Sequence, residues 1–393
     1  MFPDFDAIID RRGTHSMKWD GMAARTGVTA PDALAMWVAD MDFPAPEPVR
    51  RRLAAQVEHG VFGYYGDDPS WRGAICGWMA RRHGWSIDPD WITPSAGVCA
   101  ALSLCCMAFS EPGEGVVVFA PVYHAFHHVI RAAGRRAIVS QLVETQGRYE
   151  MDLERLSAEL PGDARLVFLC SPHNPGGRVW SADELGALAA FCVERDLVLV
   201  SDEVWHDLVF DPARHHVTAA AAPDAAERIV TCAAPSKTFN LAGGATAEVI
   251  ISDPGLRARY RRAADAVHGL STNLFGMLAA EAAYEHGESW LTALLPYLDA
   301  NRRRLADGLA QAVPGARPMA MEATYLSWVD FSALGLAQEE LMQRLGEGAR
   351  VATNPGPTFG PGGELRARFN FACPRPVIDE ALERIASAFA DLR

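Results

Sequence analysis

Short, continuously apolar runs alternate with amphipathic segments through the middle of the chain. The apolar runs predict buried β-strands, and they are GVVVFAP (115–121), RLVFLCSP (165–172), DLVLVSDE (196–203), RIVTCAAPSK (228–237) and ATAEVIIS (245–252). Between them HAFHHVIRAAG (124–134) and SADELGALAAFCVERD (181–196) predict helices, the second with Ser181 and Glu184 in capping-box positions. Because strands buried on both faces have continuous apolar sequences, the alternation predicts an α/β fold with a mostly parallel sheet between two helical layers.

The pattern changes from about residue 254 onward, where long helical stretches replace the alternation. They are followed by TYLSWVDF (324–331), a further helix, the strand-like LRARFNFAC (365–373) and a final helix. This order predicts a smaller C-terminal α+β domain that packs with part of an N-terminal arm. We expect an arm at 1–45, a large domain at 46–284 and a small domain at 285–393.

Composition and charge narrow the class of protein. A hydrophobic content of 49% with 22% charged residues is ordinary for a globular enzyme of 393 residues, and the net charge of −13 argues against nucleic-acid binding. No apolar run approaches the roughly 18 residues that a membrane span needs, and the first residues lack the apolar stretch of a signal peptide. The eight cysteines form no CxxC pair, so we expect core cysteines in a reducing, cytoplasmic compartment and no metal site.

Almost all basic residues of the chain are arginines, and very few are lysines. Of the 36, 34 are arginines and only Lys18 and Lys237 are lysines. Lys237 lies in the small and apolar stretch CAAPSKTFNLAGG (232–244). Arginine stays protonated, whereas lysine can lose its proton and attack a carbonyl group. A stray surface lysine is the alternative, but this setting favours a lysine that forms a Schiff base.

Three polar clusters lie at the carboxyl ends of predicted strands. They are SPHNPGG (171–177), SDEVWHD (201–207) and APSK (234–237). Ligands of open α/β sheets bind outside the carboxyl ends of the strands, so these clusters predict one shared site.

Pyridoxal phosphate would give a Schiff-base lysine its chemistry, and it needs several further groups. Asp202, at the end of an apolar run, is suited to hold the pyridinium nitrogen, although an isolated Asp-Glu pair is also typical of a helix cap. Asn174 lies in a turn, and its amide could contact the 3′ oxygen of the ring. Gly97 and Val98 precede an apolar helix whose N-terminus could bind the phosphate; a plain capped helix is equally compatible with this stretch.

Three more residues complete the candidate set. Tyr123 could stack on the cofactor ring, although a half-buried structural tyrosine is a fair alternative. Ser236, beside Lys237, could contact the phosphate. Arg368 could bind a substrate carboxylate through its planar guanidinium, but nothing in the residue pattern singles it out among 34 arginines.

The ordered motifs HNPGG, SDEVW, APSKTFNLAG and RFNFACPR resemble those of the fold-type-I pyridoxal phosphate enzymes, the aspartate-aminotransferase-like fold. More narrowly, the chain is similar to the MalY/PatB branch of cystathionine β-lyases and cysteine-S-conjugate β-lyases. This narrower resemblance extends over nearly the whole chain, and its N-terminal motifs are RGTHSMKWD (12–20), MWVADMDFPAPE (36–47) and HGVFGYYGDD (59–68).

The resemblance implies a large domain with a seven-stranded sheet, a pyridoxal phosphate cofactor and a homodimer with active sites at its interface. It implies catalytic roles for Lys237, which carries the cofactor, for Asp202 and for Tyr123. It also implies that Asn174 contacts the 3′ oxygen and that Arg368 holds the α-carboxylate. Tyr64 would reach the phosphate bound to the neighbouring subunit, and Lys18 would be structural.

The activity implied is cleavage of L-cystathionine or a cysteine S-conjugate into a thiol, pyruvate and ammonia. Trp205 and Asn354 depart from the family pattern, in which His and Glu are frequent, and we interpret both as candidate substrate-binding residues. Three alternatives remain: an aminotransferase, a biosynthetic variant that processes a bulky S-conjugate differently, for example by decarboxylation, and a non-catalytic regulatory protein. The intact set of candidate site residues argues against the last of these.

Overall fold

A computed structural model describes residues 4–66, 69–270 and 272–392. Its main feature is a seven-stranded sheet with the strand order β1-β7-β6-β5-β4-β2-β3. Only β7 runs antiparallel to its neighbours, β1 and β6. The predicted mostly parallel sheet is confirmed. Its strands are β1 (Ile92–Ser95), β2 (Gly115–Ala120), β3 (Arg136–Gln141), β4 (Ala164–Cys170), β5 (Val198–Asp202), β6 (Ile229–Ala233) and β7 (Ala247–Ile250).

Alternate side chains of the central strands enter two separate hydrophobic cores. On β2, Val116 and Val118 pack into one core, whereas Val117 and Phe119 pack into the other. Successive residues of a strand point to opposite faces, so a continuous apolar run fills both helical layers at once. This explains why these strands show no polar alternation.

Helices cover both faces of the sheet and build most of the C-terminal part. The Ser181–Glu184 capping box is present, which confirms that prediction. The helices are Met22–Thr26, Glu47–His59, Pro69–His83, Val98–Phe109, His124–Ala132, Leu153–Glu159, Ala182–Glu194, Thr218–Ala221, Pro235–Thr238, Pro254–Asp265, Leu274–His286, Glu288–Ala312, Gln338–Gln343 and Arg375–Ala388. No helix in the described part of the chain is long and apolar enough to cross a membrane.

The predicted strand at 228–237 is too long. In the structure β6 ends at Ala233, and Pro235–Thr238 forms one helical turn. Proline has no N–H to donate to a neighbouring strand but fits the first turn of a helix, so Pro235 ends the ladder. As a result Lys237 lies on a turn that follows the sheet and not within the sheet.

A second, antiparallel sheet has the order β8-β9-β11-β10, and its strands are β8 (Arg317–Pro318), β9 (Leu326–Asp330), β10 (Asn354–Pro355) and β11 (Arg366–Asn370). The N-terminal segment is held beside it. Leu34–Ala35 pairs in parallel with Val351–Ala352, and the Asn370 side chain donates to the carbonyl oxygens of Val38 and Asp40. Val143–Thr145 and Arg148–Glu150 form a separate two-stranded hairpin.

Most cysteines lie in the core, as expected. All eight are free and six are buried, whereas Cys76 is half-buried and Cys99 is exposed, contrary to the expectation of core cysteines. Lys18 is fully buried, and its Nζ donates to Asp42 Oδ2 over 2.7 Å. Asp67 and Asp68, which end the HGVFGYYGDD motif, lie outside the described residues.

Candidate active site

The carboxyl ends of three central strands place the predicted polar residues at one edge of the sheet. Asn174 follows β4, Asp202 ends β5 and Lys237 follows β6. Backbone hydrogen bonds tie these ends together, since Ser171 N–H donates to Asp202 O and Glu203 N–H donates to Cys232 O. Parallel pairing therefore brings together residues that are far apart in the sequence.

The Lys237 amine lies at the centre of this edge. Nζ donates a hydrogen bond of 2.8 Å to the backbone oxygen of Ala39 and lies 5.6 Å from the ring centroid of Trp205. Burial lowers the pKa of Lys237, the nearby charge of Asp40 opposes that shift, and Arg368 adds to it. A lysine with a lowered pKa has a larger unprotonated fraction near neutral pH and can act as a nucleophile or a base.

Asp202 is buried and carries no paired cation. Val204 N–H donates to its Oδ1 over 3.2 Å, and among the described residues no cationic side chain forms an ion pair with it. Burial raises the pKa of Asp202 to about 7, against the effects of the Val204 hydrogen bond and of Lys237. A buried carboxylate that lacks an ion-pair partner is stabilised by any cationic group that binds against it, such as a protonated pyridine nitrogen.

Arg368 projects from β11 and is held by neutral groups. Its guanidinium donates to Asn174 Oδ1 (3.1 Å), Trp37 O (2.9 Å) and Asn354 Oδ1 (2.7 Å). The side chain is buried, and burial lowers its pKa to about 10. It forms no ion pair with a carboxylate within the described ranges. A buried guanidinium without an anion is a strong binding site for a carboxylate ligand.

Tyr123 joins the site through both its backbone and its side chain. Its N–H donates to Asn174 O over 3.0 Å. Burial raises the pKa of its phenol, and the nearby thiol of Cys99 adds to that shift. The half-buried ring lies beside the loop that carries Asn174, where it can border a flat ligand.

The helix Val98–Phe109 begins at the same edge, after β1. Its N-cap is Gly97, which has φ +97°, and no side chain caps the helix. A Cβ atom at position 97 would have no neighbouring atom within 4 Å, so a side chain would fit sterically. Glycine is favoured here because the positive φ angle is strained for other residues. The first N–H groups of this helix lack the usual capping oxygen and are available to an anion. Ser236 is half-buried on the turn of Lys237.

A cavity of about 300 Å³ opens beside Arg368. Trp37, His124, Thr353 and Asn354 are among the residues that line it. Trp205 is not in its wall: this fully buried ring packs edge-on against Tyr325 at 4.8 Å. Of the two predicted substrate-binding residues that depart from the family pattern, Asn354 therefore borders the cavity, whereas Trp205 lies beside the Lys237 amine.

Tyr64 stands apart from the other predicted site residues. It is fully exposed, so a single chain does not bring it to this edge of the sheet. Its assignment to the neighbouring subunit's phosphate remains a prediction.

Sequence reasoning missed three members of this site. The Ala39 carbonyl accepts hydrogen bonds from both Lys237 Nζ and the Tyr325 hydroxyl, the latter over 2.9 Å. Cys99 lies near the Tyr123 hydroxyl. Ala39 lies in the MWVADMDFPAPE motif, which was a usable signal, but a backbone acceptor has no signature of its own. Tyr325 and Cys99 lie in ordinary apolar surroundings that mark no site.

Comparison with known proteins identifies the family. The protein-family model described as aminotransferase class I and II matches residues 39–385 of this chain. Cystathionine beta-lyase PatB of Bacillus subtilis (strain 168) is 42% identical over 98% of this chain and 100% of its own length. Protein MalY of Escherichia coli (strain K12) is 31% identical over 99% and 100%.

Solved structures agree with this assignment. Cystalysin from Treponema denticola, which contains a pyridoxal 5′-phosphate cofactor, has a TM-score of 0.96 with 34% identity over all of both chains. The pyridoxal-phosphate-bound C-S lyase of Staphylococcus hominis has a TM-score of 0.90 with 31% identity over 98% of this chain and 97% of its own. The chain therefore belongs to the aminotransferase class I and II family and, within it, to the pyridoxal-phosphate-dependent cystathionine β-lyases.

Proposed function

We propose that this protein is a C–S β-lyase that cleaves L-cystathionine or a related cysteine S-conjugate. One molecule of water is consumed, and the products are a thiol, pyruvate and ammonia. The observation that carries the proposal is the site formed by Lys237, Asp202 and Arg368 in a chain that is 42% identical over its whole length to a cystathionine β-lyase. A binding protein would need no amine with a lowered pKa close to a buried carboxylate and a buried guanidinium.

Pyridoxal phosphate fits the residues of this site. Lys237 would hold it covalently, Asp202 would face its ring nitrogen and Asn174 its 3′ oxygen. The helix N-terminus at Gly97 and Val98, together with Ser236, would receive the phosphate, and Tyr123 would border the ring. The unpaired Asp202 carboxylate and the uncapped helix are the two structural features that support this fit. When bound, this cofactor withdraws electron density from the α-carbon of an amino acid.

Each side chain then has a definite task. Arg368 binds the substrate α-carboxylate while Trp37 O and Asn354 keep its guanidinium oriented. Asp202 would keep the pyridine nitrogen of the bound cofactor protonated. The Lys237 amine takes the proton from the substrate α-carbon, for which its lowered pKa is required. As the Cβ–S bond breaks, the electron pair leaves with sulfur, and the Lys237 ammonium can return the proton to that thiolate.

The finer assignments belong to the same proposal. We place Tyr64 against the phosphate bound to the partner subunit of a homodimer, a role that its full exposure in a single chain leaves open to it. Asn354 and Trp205 would select the substrate. We retain the domain boundaries 1–45, 46–284 and 285–393 and a location in the cytoplasm.

Product analysis without any added keto acid tests the function. With L-cystathionine and with an S-aryl cysteine as substrates, a lyase releases pyruvate and free thiol in equal amounts over many turnovers. An aminotransferase, the second candidate because the matching family model is named for that activity, would stop after one turnover and restart when a keto acid is supplied. That second result would overturn the proposal.

A further inference from the structure

A second cluster of buried titratable groups lies next to the turn that carries Lys237. It consists of His83, at the end of the helix Pro69–His83, and of His206 and Asp207, which follow β5. His83 Nε2 lies 3.0 Å from Asp207 Oδ1, and His206 Nε2 lies 3.1 Å from Asp207 Oδ2. The proposed reaction uses none of these three residues.

We propose that His83, His206 and Asp207 form a binding site for a divalent transition metal ion such as Zn²⁺. One ligand atom from each residue can be chosen so that all three lie within 4.8 Å of one another. Bonds of 2.0–2.2 Å to zinc place ligand atoms roughly 3–3.5 Å apart, and the two distances to Asp207 are close to this spacing. Two imidazoles and one carboxylate form a ligand set that zinc accepts, with a fourth position left to water.

His206 supplies an independent reason to expect a ligand. Its side chain is fully buried, yet neither ring nitrogen has a hydrogen-bond partner among the described residues. Although Nε2 lies close to Asp207, the geometry is not that of a hydrogen bond. Buried polar atoms are nearly always satisfied, and a metal ion between the two side chains would satisfy this one.

The surroundings resemble the outer shell of a metal site. Asp207 accepts hydrogen bonds from Trp78 Nε1 and from Thr238 Oγ1, which would hold the carboxylate in place. His215 lies beside both histidines, at ring-centroid distances of 5.7 Å and 6.0 Å. Its Nε2 is paired with Glu203, and its Nδ1 has no hydrogen-bond partner within the described part of the chain.

The cluster borders a cavity whose wall carries three carboxylates and three arginines. The three residues line a cavity of about 590 Å³ that also contains Asp211 and Asp299. Arg214 is paired with Asp211 and Arg303 with Asp299, so these two carboxylates are already neutralised. The third arginine, Arg82, has its Nε 3.8 Å from Asp207 Oδ1, and its partly exposed side chain lies over Trp78.

The proposal departs from the expectation of no metal site. No local pattern indicates such a site, because His83 and Asp207 are 124 positions apart and share no motif. The ion would not take part in the cofactor chemistry. Through Asp207 and Thr238, however, it would be linked to the turn that carries Lys237.

Isothermal titration of the holoenzyme with ZnCl₂ tests the proposal. We expect one high-affinity Zn²⁺ per chain and a loss of at least 100-fold in affinity in His206→Ala. Trp78→Phe, which removes an outer-shell donor, should weaken binding roughly 10- to 100-fold. His286→Ala is the matched control, because that histidine is exposed and its loss should leave the affinity unchanged.

A second experiment, which uses only the unmodified protein, tests the zinc site even if a variant does not fold. Crystals of the unmodified holoenzyme soaked in ZnCl₂ should show an anomalous difference peak between His83, His206 and Asp207. Absence of that peak, or equal zinc affinity in His206→Ala and His286→Ala, would overturn the proposal. Either result is independent of lyase activity, so it leaves the proposed function untouched.

Discussion

Arg368 donates a hydrogen bond of 2.7 Å to the amide oxygen of Asn354, its direct partner across the antiparallel pair of β11 and β10. The amide orients the guanidinium without neutralising it. A carboxylate at position 354 would instead compete with the substrate for the same charge. The presence of an amide and not a carboxylate at position 354 therefore leaves the charge of Arg368 available to bind a substrate amino acid.

Replacing Asn354 should change KM more than kcat. In Asn354→Ala the guanidinium loses one orienting acceptor, and we expect KM to rise by roughly fivefold to tenfold, equivalent to about 1–1.4 kcal/mol. In Asn354→Asp the new ion pair occupies Arg368, and we expect a rise of well over tenfold. Steady-state kinetics with L-cystathionine measure both values. Equal KM values in the two variants would show that Arg368 does not bind the substrate carboxylate.

Replacing Asp202 should affect the chemical step. Asp202→Asn keeps the size of the side chain but cannot hold a proton at the pyridine nitrogen, so we expect kcat to fall by roughly 10²- to 10⁴-fold. The exposed Asp224 provides the matched control, Asp224→Asn, which should retain full activity. Both are measured as pyruvate release from cofactor-saturated protein. A kcat within a few fold of the unmodified enzyme would remove Asp202 from the mechanism.

The strands and the polar clusters at their ends could be predicted from the sequence because each depends on local pattern. The contact between Asn174 and Arg368 could not, since it joins residues 194 positions apart, one on the loop after β4 of the large sheet and one on β11 of the second sheet. The assignment of Arg368 to the site came from the family resemblance, because the residue pattern does not distinguish it from the other arginines among the 34 in the chain. The role of the Ala39 carbonyl depends on how the N-terminal segment lies along β11, which no local pattern encodes.

Glu248, on β7, should make stability depend on pH. Burial raises its pKa from 4.5 to about 8, and the Tyr284 hydroxyl donates to it. Between these values the folded protein keeps a proton that the unfolded chain has lost. The free energy of unfolding should therefore decrease with rising pH, by up to about 1.4 kcal/mol per pH unit, and level off above about pH 8.

Urea unfolding from pH 5 to pH 9 measures this effect. Glu248→Gln should remove that part of the slope and should be more stable than the unmodified protein at pH 8. Glu285→Gln alters an exposed side chain and should leave the slope unchanged. Parallel curves for Glu248→Gln and the unmodified protein would mean that Glu248 is ionised in the folded state.

The role of Lys237 can be tested most directly by reducing the holoenzyme with borohydride and mapping the labelled peptide by mass spectrometry. The chain has only one other lysine, Lys18, which is buried and paired with Asp42, so the two outcomes are fully distinguishable. We expect the pyridoxyl group on the peptide that contains Lys237, and no covalent label in Lys237→Ala. A label on Lys18, or none on Lys237 in active enzyme, would contradict the central assignment.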